Sequence, residues 1–186
     1  MRFTKIAIMQ SFERFLSEKP FEKITVKDIV EDCGINRKTF YYYFEDIYDL
    51  LEKTFRKSFE SILDSFESDM SLEDRARSFF EFAQNNKTTI RHVYNSSDKK
   101  TVEKYICNIF YEGISGRIKA DCSKLGLCDS DVELISLSIV NILAGTIFKW
   151  IDDGMKNNAA DIAARLTVIL DGIPELMVEN ALKKQK

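Results

Sequence analysis

The chain is expected to be all-α: a small N-terminal bundle of three helices, then a larger helical domain. Two observations predict this. Along most of the sequence, apolar residues recur at three- and four-residue spacing, the period of one face of a helix. Seven Gly and two Pro in 186 residues leave little material for long loops. Hydrophobic residues at 45% and charged residues at 31% describe an ordered, soluble chain. Its length allows one or two domains, and the patterning places residues 1–45 in the first and 46–186 in the second.

Ile6, Ala7, Met9, Phe12, Phe15 and Leu16 form the apolar stripe of a first helix. It should stop near Pro20, because proline biases the preceding residue out of the helical region. Thr25 followed by Asp28 resembles a capping box for a second, short helix, whose apolar face is Val26, Ile29, Val30 and Cys33. Gly34 can take the left-handed conformation that ends a helix. Ile35 then turns back to the core, and Asn36 is a good N-cap for a third helix reaching about Tyr43. Phe40 and Phe44 share its inner face, which leaves Arg37, Lys38, Thr39, Tyr41 and Tyr42 around the outside. Two short helices about a tight turn, the second with a polar and basic outer face, form a helix-turn-helix suited to the DNA major groove.

The run Ile24 to Phe44 resembles the N-terminal signature of TetR/AcrR-type transcriptional regulators: a Thr cap, a Cys-Gly-Ile turn, then Thr-Phe-Tyr-Tyr-Tyr-Phe. The likeness covers about residues 1–56. It implies that Thr25, Thr39, Tyr41 and Tyr43 hold phosphates. It further implies that Lys27, Arg37, Lys38 and Tyr42 reach base edges or nearby backbone, with Asn36 opening the recognition helix. These roles agree with the chemistry, since Arg and Lys can donate to guanine O6 and N7 while hydroxyls fix register on phosphate. One position departs from the pattern. Where such regulators usually carry a phosphate-holding Lys, this chain has Ile47, with Glu45, Asp46 and Asp49 around it. DNA binding weaker by about one counterion's worth is expected. The run Phe40 to Leu50 also resembles regulators of dihydroxyacetone kinase operons, some of which work with a second protein.

From Asp46, the residues Ile47, Leu50, Leu51, Phe55, Phe59, Ile62, Leu63 and Phe66 predict a long helix of about twenty residues. Ser71 and Asp74 cap a helix carrying Phe79, Phe80, Phe82 and Ala83, which ends near Asn85 and Asn86. A short helix at Thr88–Tyr94 and a loop at Asn95–Asp98 follow. The helix from Thr101 to about Ala120 points Val102, Tyr105, Ile106, Ile109, Phe110, Ile114 and Ile118 inward. Within it, Gly113 and Gly116 weaken the helix or admit a close neighbour. Asp129, Ser130 and Asp131 are expected to cap a helix over 132–153, ending at Gly154 and apolar almost all round. Such a helix must be buried on every side, so a subunit interface should cover one flank. A last helix over 161–183 should bend at Pro174. By resemblance, the helices 132–153 and 161–183 of two subunits would form a homodimer, and its symmetry would call for an inverted-repeat DNA operator.

Phe79, Phe82, His92, Tyr94, Tyr105, Phe110 and Trp150 are candidates for an effector pocket in the second domain, where the family holds a small molecule. Of these, His92, Tyr94 and Tyr105 bring polar tips that need partners if buried. The net charge of −3 argues against a generally basic nucleic-acid coat, yet residues through Phe44 carry +2 and the remainder −5. One His and no Cys-x-x-Cys give no dedicated metal or haem site, and no cofactor is expected. There is no Gly-rich phosphate loop or nucleophile elbow, so an enzyme is not expected. Cys33, Cys107, Cys122 and Cys128 are expected to be reduced. The start lacks an apolar signal segment, and the uncharged run Leu134–Phe148 is shorter than the roughly 20 residues that span a bilayer. A cytoplasmic, ligand-responsive regulator of transcription, a repressor without a membrane segment, is the expectation. The alternative is a regulatory module with weakened DNA contacts that acts through a protein co-regulator.

Overall fold

The computed structural model describes residues 2–66, 70–96 and 99–184. Among these residues it contains α-helices, one 3₁₀ turn and no strand. The helices are α1 (Arg2–Glu18), α2 (Val26–Asp32), α3 (Arg37–Tyr43), α4 (Ile47–Asp64), α5 (Leu72–Asn85), α6 (Lys87–Tyr94), α7 (Lys99–Ser123), α8 (Asp129–Asp152), α9 (Ala159–Leu170) and α10 (Ile173–Lys184). The 3₁₀ turn, Phe21–Lys23, follows Pro20. Expectations for Ser97, Asp98 and the side chain of Ile114 lie outside the described residues.

Two compact units divide the chain: Met1–Ser58 with Asn86–Ile106, and Phe59–Asn85 with Cys107–Lys186. The division falls inside α4, and it assigns α6 and the start of α7 to the same unit as the helix-turn-helix.

The core of the first unit gathers Ile8, Phe12 and Leu16 of α1, Ile29 of α2, Phe40 and Phe44 of the α3 region, Leu50 of α4, and Val93 and Val102. Phe21 links it edge-on to Phe12 at 6.2 Å and to Tyr48 at 5.2 Å. Ser11 and Arg14 of α1 both hold the Asp32 carboxylate, which offsets the poor placement of an acid at a helix C-terminus.

In the second unit α5 packs on α9. Small residues make this approach possible: Ala76 and Ala83 are buried on one side, Ala159 and Ala163 on the other. Gln84 accepts the Ala159 amide at 3.0 Å, and Asn158 accepts that of Ala160 at 2.8 Å, so the α9 start is capped twice. Phe59, Phe79 and Phe110 form a triangle with centroids 4.6–5.6 Å apart. Gly113 is needed beside it, since a Cβ there would lie 2.5 Å from Phe59 and 2.6 Å from Leu63. Gly116 has open space instead.

Two expectations are corrected. Helix α8 begins at Asp129, one turn early, because Cys128 is extended (φ −73°, ψ 152°) and acts as N-cap. Its carbonyl takes the amides of Asp131 and Val132, which puts Asp129 and Asp131 in the first turn, where acids suit the helix dipole. The last helix is broken, not bent. Gly172 adopts φ 71° between α9 and α10, and Pro174, near the start of α10, needs no amide partner there. Helix α8 is by length and composition long and apolar enough to cross a membrane, a test that the core helix of a bundle also passes. Its uncharged run Leu134–Phe148 is flanked by Val132, Trp150 and Ile151, which extend the apolar stretch past the single charges Glu133 and Lys149.

Candidate nucleic-acid interface

Local hydrogen bonding builds the reading head. Thr25 Oγ1 accepts the Asp28 amide at 3.1 Å and Asp28 Oδ2 accepts the Thr25 amide at 2.9 Å, a closed capping box. Lys19 Nζ donates to the same Asp28 oxygen at 2.9 Å. That bond, with the amide's, holds the Asp28 carboxyl below its ordinary pKa. Asp32 is lowered as well, by the Ser11 hydroxyl and then Arg14. At the turn Gly34 has φ 63°. Its amide reaches Glu31 O and that of Ile35 reaches Val30 O, at 3.3 and 2.9 Å. This pair of bonds is a Schellman closure, and it sets where α3 begins.

Asn36 Oδ1 accepts the Thr39 amide at 2.9 Å and the Thr39 hydroxyl at 3.1 Å. The Thr39 hydroxyl proton is therefore engaged at the start of α3. Thr25, Lys27, Asn36, Arg37, Lys38, Tyr41 and Tyr42 are exposed, Thr39 and Tyr43 half-buried. Tyr41 and Tyr42 keep 55% and 68% of their surface, unusual for large rings with nothing to cover them. Tyr41 stands edge-on to Phe40 at 5.4 Å and Tyr42 edge-on to Tyr43 at 4.9 Å, so a buried aromatic or its neighbour orients each exposed phenol. Lys27 has a long 3.7 Å ion pair with Glu31, both mostly exposed, a contact worth little.

Residues 8–54 match the family of bacterial regulatory proteins of the tetR type. Residues 70–172, more than half the chain, match a transcriptional regulator C-terminal region of the TetR kind. The chain belongs to the TetR family. TetR-family regulators bind DNA, and the chain is a transcriptional regulator with the helix-turn-helix at its N-terminus.

No curated protein matches this TetR-family chain. Solved structures do share its fold. A dihydroxyacetone kinase operon activator, DhaS, is 16% identical, with 95% of this chain and 98% of that one aligned at a TM-score of 0.65. A TetR regulator from Streptococcus agalactiae is 19% identical over 91% and 94% of the two chains, TM-score 0.62. FadR from Bacillus subtilis, in complex with stearoyl-CoA, is 16% identical over 93% and 97%, TM-score 0.53.

The seven effector-pocket candidates of the TetR-family chain divide between the two units. In the first, His92 Nδ1 bonds Leu16 O at 2.8 Å, and the Tyr94 hydroxyl donates to Glu103 at 2.9 Å. Burial pushes the Tyr94 phenol up to about 12. Tyr105 stacks on Tyr48 at 6.4 Å. In the second unit Phe79 and Phe110 come together on Phe59, and Phe82 is half-buried on α5. Trp150 Nε1 donates to Asn157 O at 3.1 Å, with its ring edge-on to Phe80 at 5.5 Å. That unit also contains an apolar cavity of about 60 Å³ that sequence reasoning missed. Ile139, Ile142, Leu143, Leu166, Leu170 and Met177 are among the residues that line it. Its signal was present in the helical spacing of α8 and α9, but periodicity separates apolar from polar faces and does not distinguish filled space from empty.

Proposed function

We propose that this TetR-family chain is a ligand-responsive repressor that binds an inverted-repeat operator as a homodimer. The observation that carries the reading is the capped α2–α3 pair, which leaves Arg37, Lys38, Tyr41 and Tyr42 uncovered on one short helix. Thr25, Thr39, Tyr41 and Tyr43 position the duplex through phosphates, and Lys27, Arg37, Lys38 and Tyr42 read it, with Asn36 fixing the helix start.

Dimerisation is supported by the apolar faces that this chain alone leaves bare. On α8 Leu134 and Leu137 are 63% and 38% exposed. On α9 and α10 Val168, Ile169 and Leu176 are 77%, 69% and 49% exposed. A second copy covering them would complete the burial that an all-round apolar helix requires. The effector is a small molecule with an apolar portion, consistent with the predominantly apolar lining that α8, α9 and α10 supply with Ala76 of α5. The cavity is below the usual 300–1,000 Å³ of ligand sites, so ligand entry must part these helices. That is how binding would shift the population away from the operator-competent state. A regulatory module acting through a protein co-regulator is the second reading, favoured by Ile47 and the acids around it.

Selection from random duplexes tests the first reading. Enrichment of an inverted repeat with half-sites about one helical turn apart, or a multiple of it, is expected. Enrichment of no sequence favours the co-regulator reading.

A further inference from the structure

The start of α4 is filled by the chain's own anions. Asp46 Oδ1 accepts the amides of Tyr48 and Asp49, each at 2.8 Å. Asp49 Oδ2 accepts the Glu45 amide at 2.9 Å. Free amides at a helix start attract phosphate, but here carboxylates already hold them. Ile47 adds no charge and packs, half-buried, against the first unit's core.

Positive charge reaches this end of α3 from two other elements. The ammonium groups of Lys53 and Lys5 lie 5.4 and 5.9 Å from the centroid of the Phe44 ring. Lys53 is committed: it donates to Asp49 Oδ2 at 2.8 Å and to the Tyr43 carbonyl at 3.3 Å. Lys5, in the first turns of α1, has no ion pair among the described residues. Its ammonium lies at the outer reach of a cation–π contact with Phe44, and Tyr43 adjoins the same ring at 6.5 Å. A half-buried lysine with an unneutralised charge, near the ring that closes α3, suits a phosphate oxygen.

We infer that Lys5 of α1 makes the DNA phosphate contact that position 47 does not. The inference rests on the DNA-reading function proposed above. Lys5 then works as a backbone anchor at the C-terminal end of the recognition helix. It adds affinity without adding sequence preference.

The test is a salt titration of binding to the duplex that the full chain selects, comparing wild type, Lys5→Gln and Lys5→Arg. Gln keeps a stem over Phe44 and removes the charge. Expected is a slope of log affinity against log salt shallower by about 0.9 for Lys5→Gln. The same constant gives about eightfold weaker binding at 0.1 M salt, converging near 1 M. Lys5→Arg should keep the wild-type slope, and the ratio between selected and scrambled duplex should stay unchanged in both variants. A wild-type slope in Lys5→Gln overturns the assignment while leaving the DNA-reading function standing. A wild-type chain that binds no duplex overturns both.

Discussion

The ring of His92, the chain's single histidine, closes a gap that Pro20 opens. Leu16 O, in the last turn of α1, would ordinarily accept the amide four residues on, and that residue is Pro20, which has none. His92 Nδ1 lies 2.8 Å from this oxygen. A carbonyl only accepts, so Nδ1 carries the proton. The bond ties α6, from the region matched by the family's C-terminal part, to the first helix of the DNA-reading unit.

Replacing His92 by Ala should therefore cost about 1–3 kcal/mol, the penalty for a carbonyl left without its partner. Urea denaturation would measure it. A loss under 0.5 kcal/mol would mean that water serves Leu16 as well as the imidazole does.

The two glycines of α7 should respond with opposite signs. Gly113→Ala forces a Cβ against Phe59 and Leu63 and should lose about 1–3 kcal/mol through overpacking. Gly116→Ala meets open space and should gain up to about 1 kcal/mol from helix propensity. Thermal melts of the two variants compare them directly, and equal signs would contradict the packing described around Phe59.

Acid should loosen the reading head through Asp28 and Asp32. Both carboxyls are lowered in the folded chain by hydrogen bonds, from Lys19 and Thr25 in one case and from Ser11 and Arg14 in the other. A lowered folded pKa gives stability that is present above the unfolded value, about 3.9. It is lost as pH falls through the folded value. Unfolding followed between pH 5 and 2 should show Asp28→Asn/Asp32→Asn as less acid-sensitive than wild type, although weaker at neutral pH. Parallel curves would mean that these bonds do not distinguish folded from unfolded chain.

Leu134→Glu and Val168→Glu introduce charge on the bare faces of α8 and α9. Sedimentation should show a dimer for the wild type and a monomer, or a dimer weakened at least tenfold, for the pair. An unchanged dimer would place the interface elsewhere.

Ile47→Lys should add a phosphate contact to the one that Lys5 makes and steepen the salt slope of operator binding by about 0.9. If the slope and the affinity stay as in wild type, position 47 does not face the DNA backbone.

Local chemistry made the reading head legible. The Thr25–Asp28 box, the Gly34 turn and the Asn36 cap each depend on residues within four positions of one another, and all three are present in the structure. The break between α9 and α10 was harder to see, because Pro174 is compatible with either a kink or a fresh helix start and Gly172 decides between them. What sequence spacing could not supply was long-range pairing. His92 and Leu16 are 76 positions apart, and nothing local to Lys5 reveals that Phe44 lies beneath it. The aromatic candidates for an effector site were chosen by residue type and helix face. Their partners, Glu103 for Tyr94 and Asn157 for Trp150, come from tertiary structure and turns that periodicity does not encode.

The most direct measurement of the central claim is binding to the selected operator and to duplexes with single base changes. Arg37→Ala and Lys38→Ala should lose discrimination by about 1–3 kcal/mol at the bases they read, while Tyr41→Phe weakens all duplexes about evenly. Full retention of specific binding by both the Arg37 and Lys38 variants would contradict the account, because the exposed face of α3 would then not be what reads the DNA.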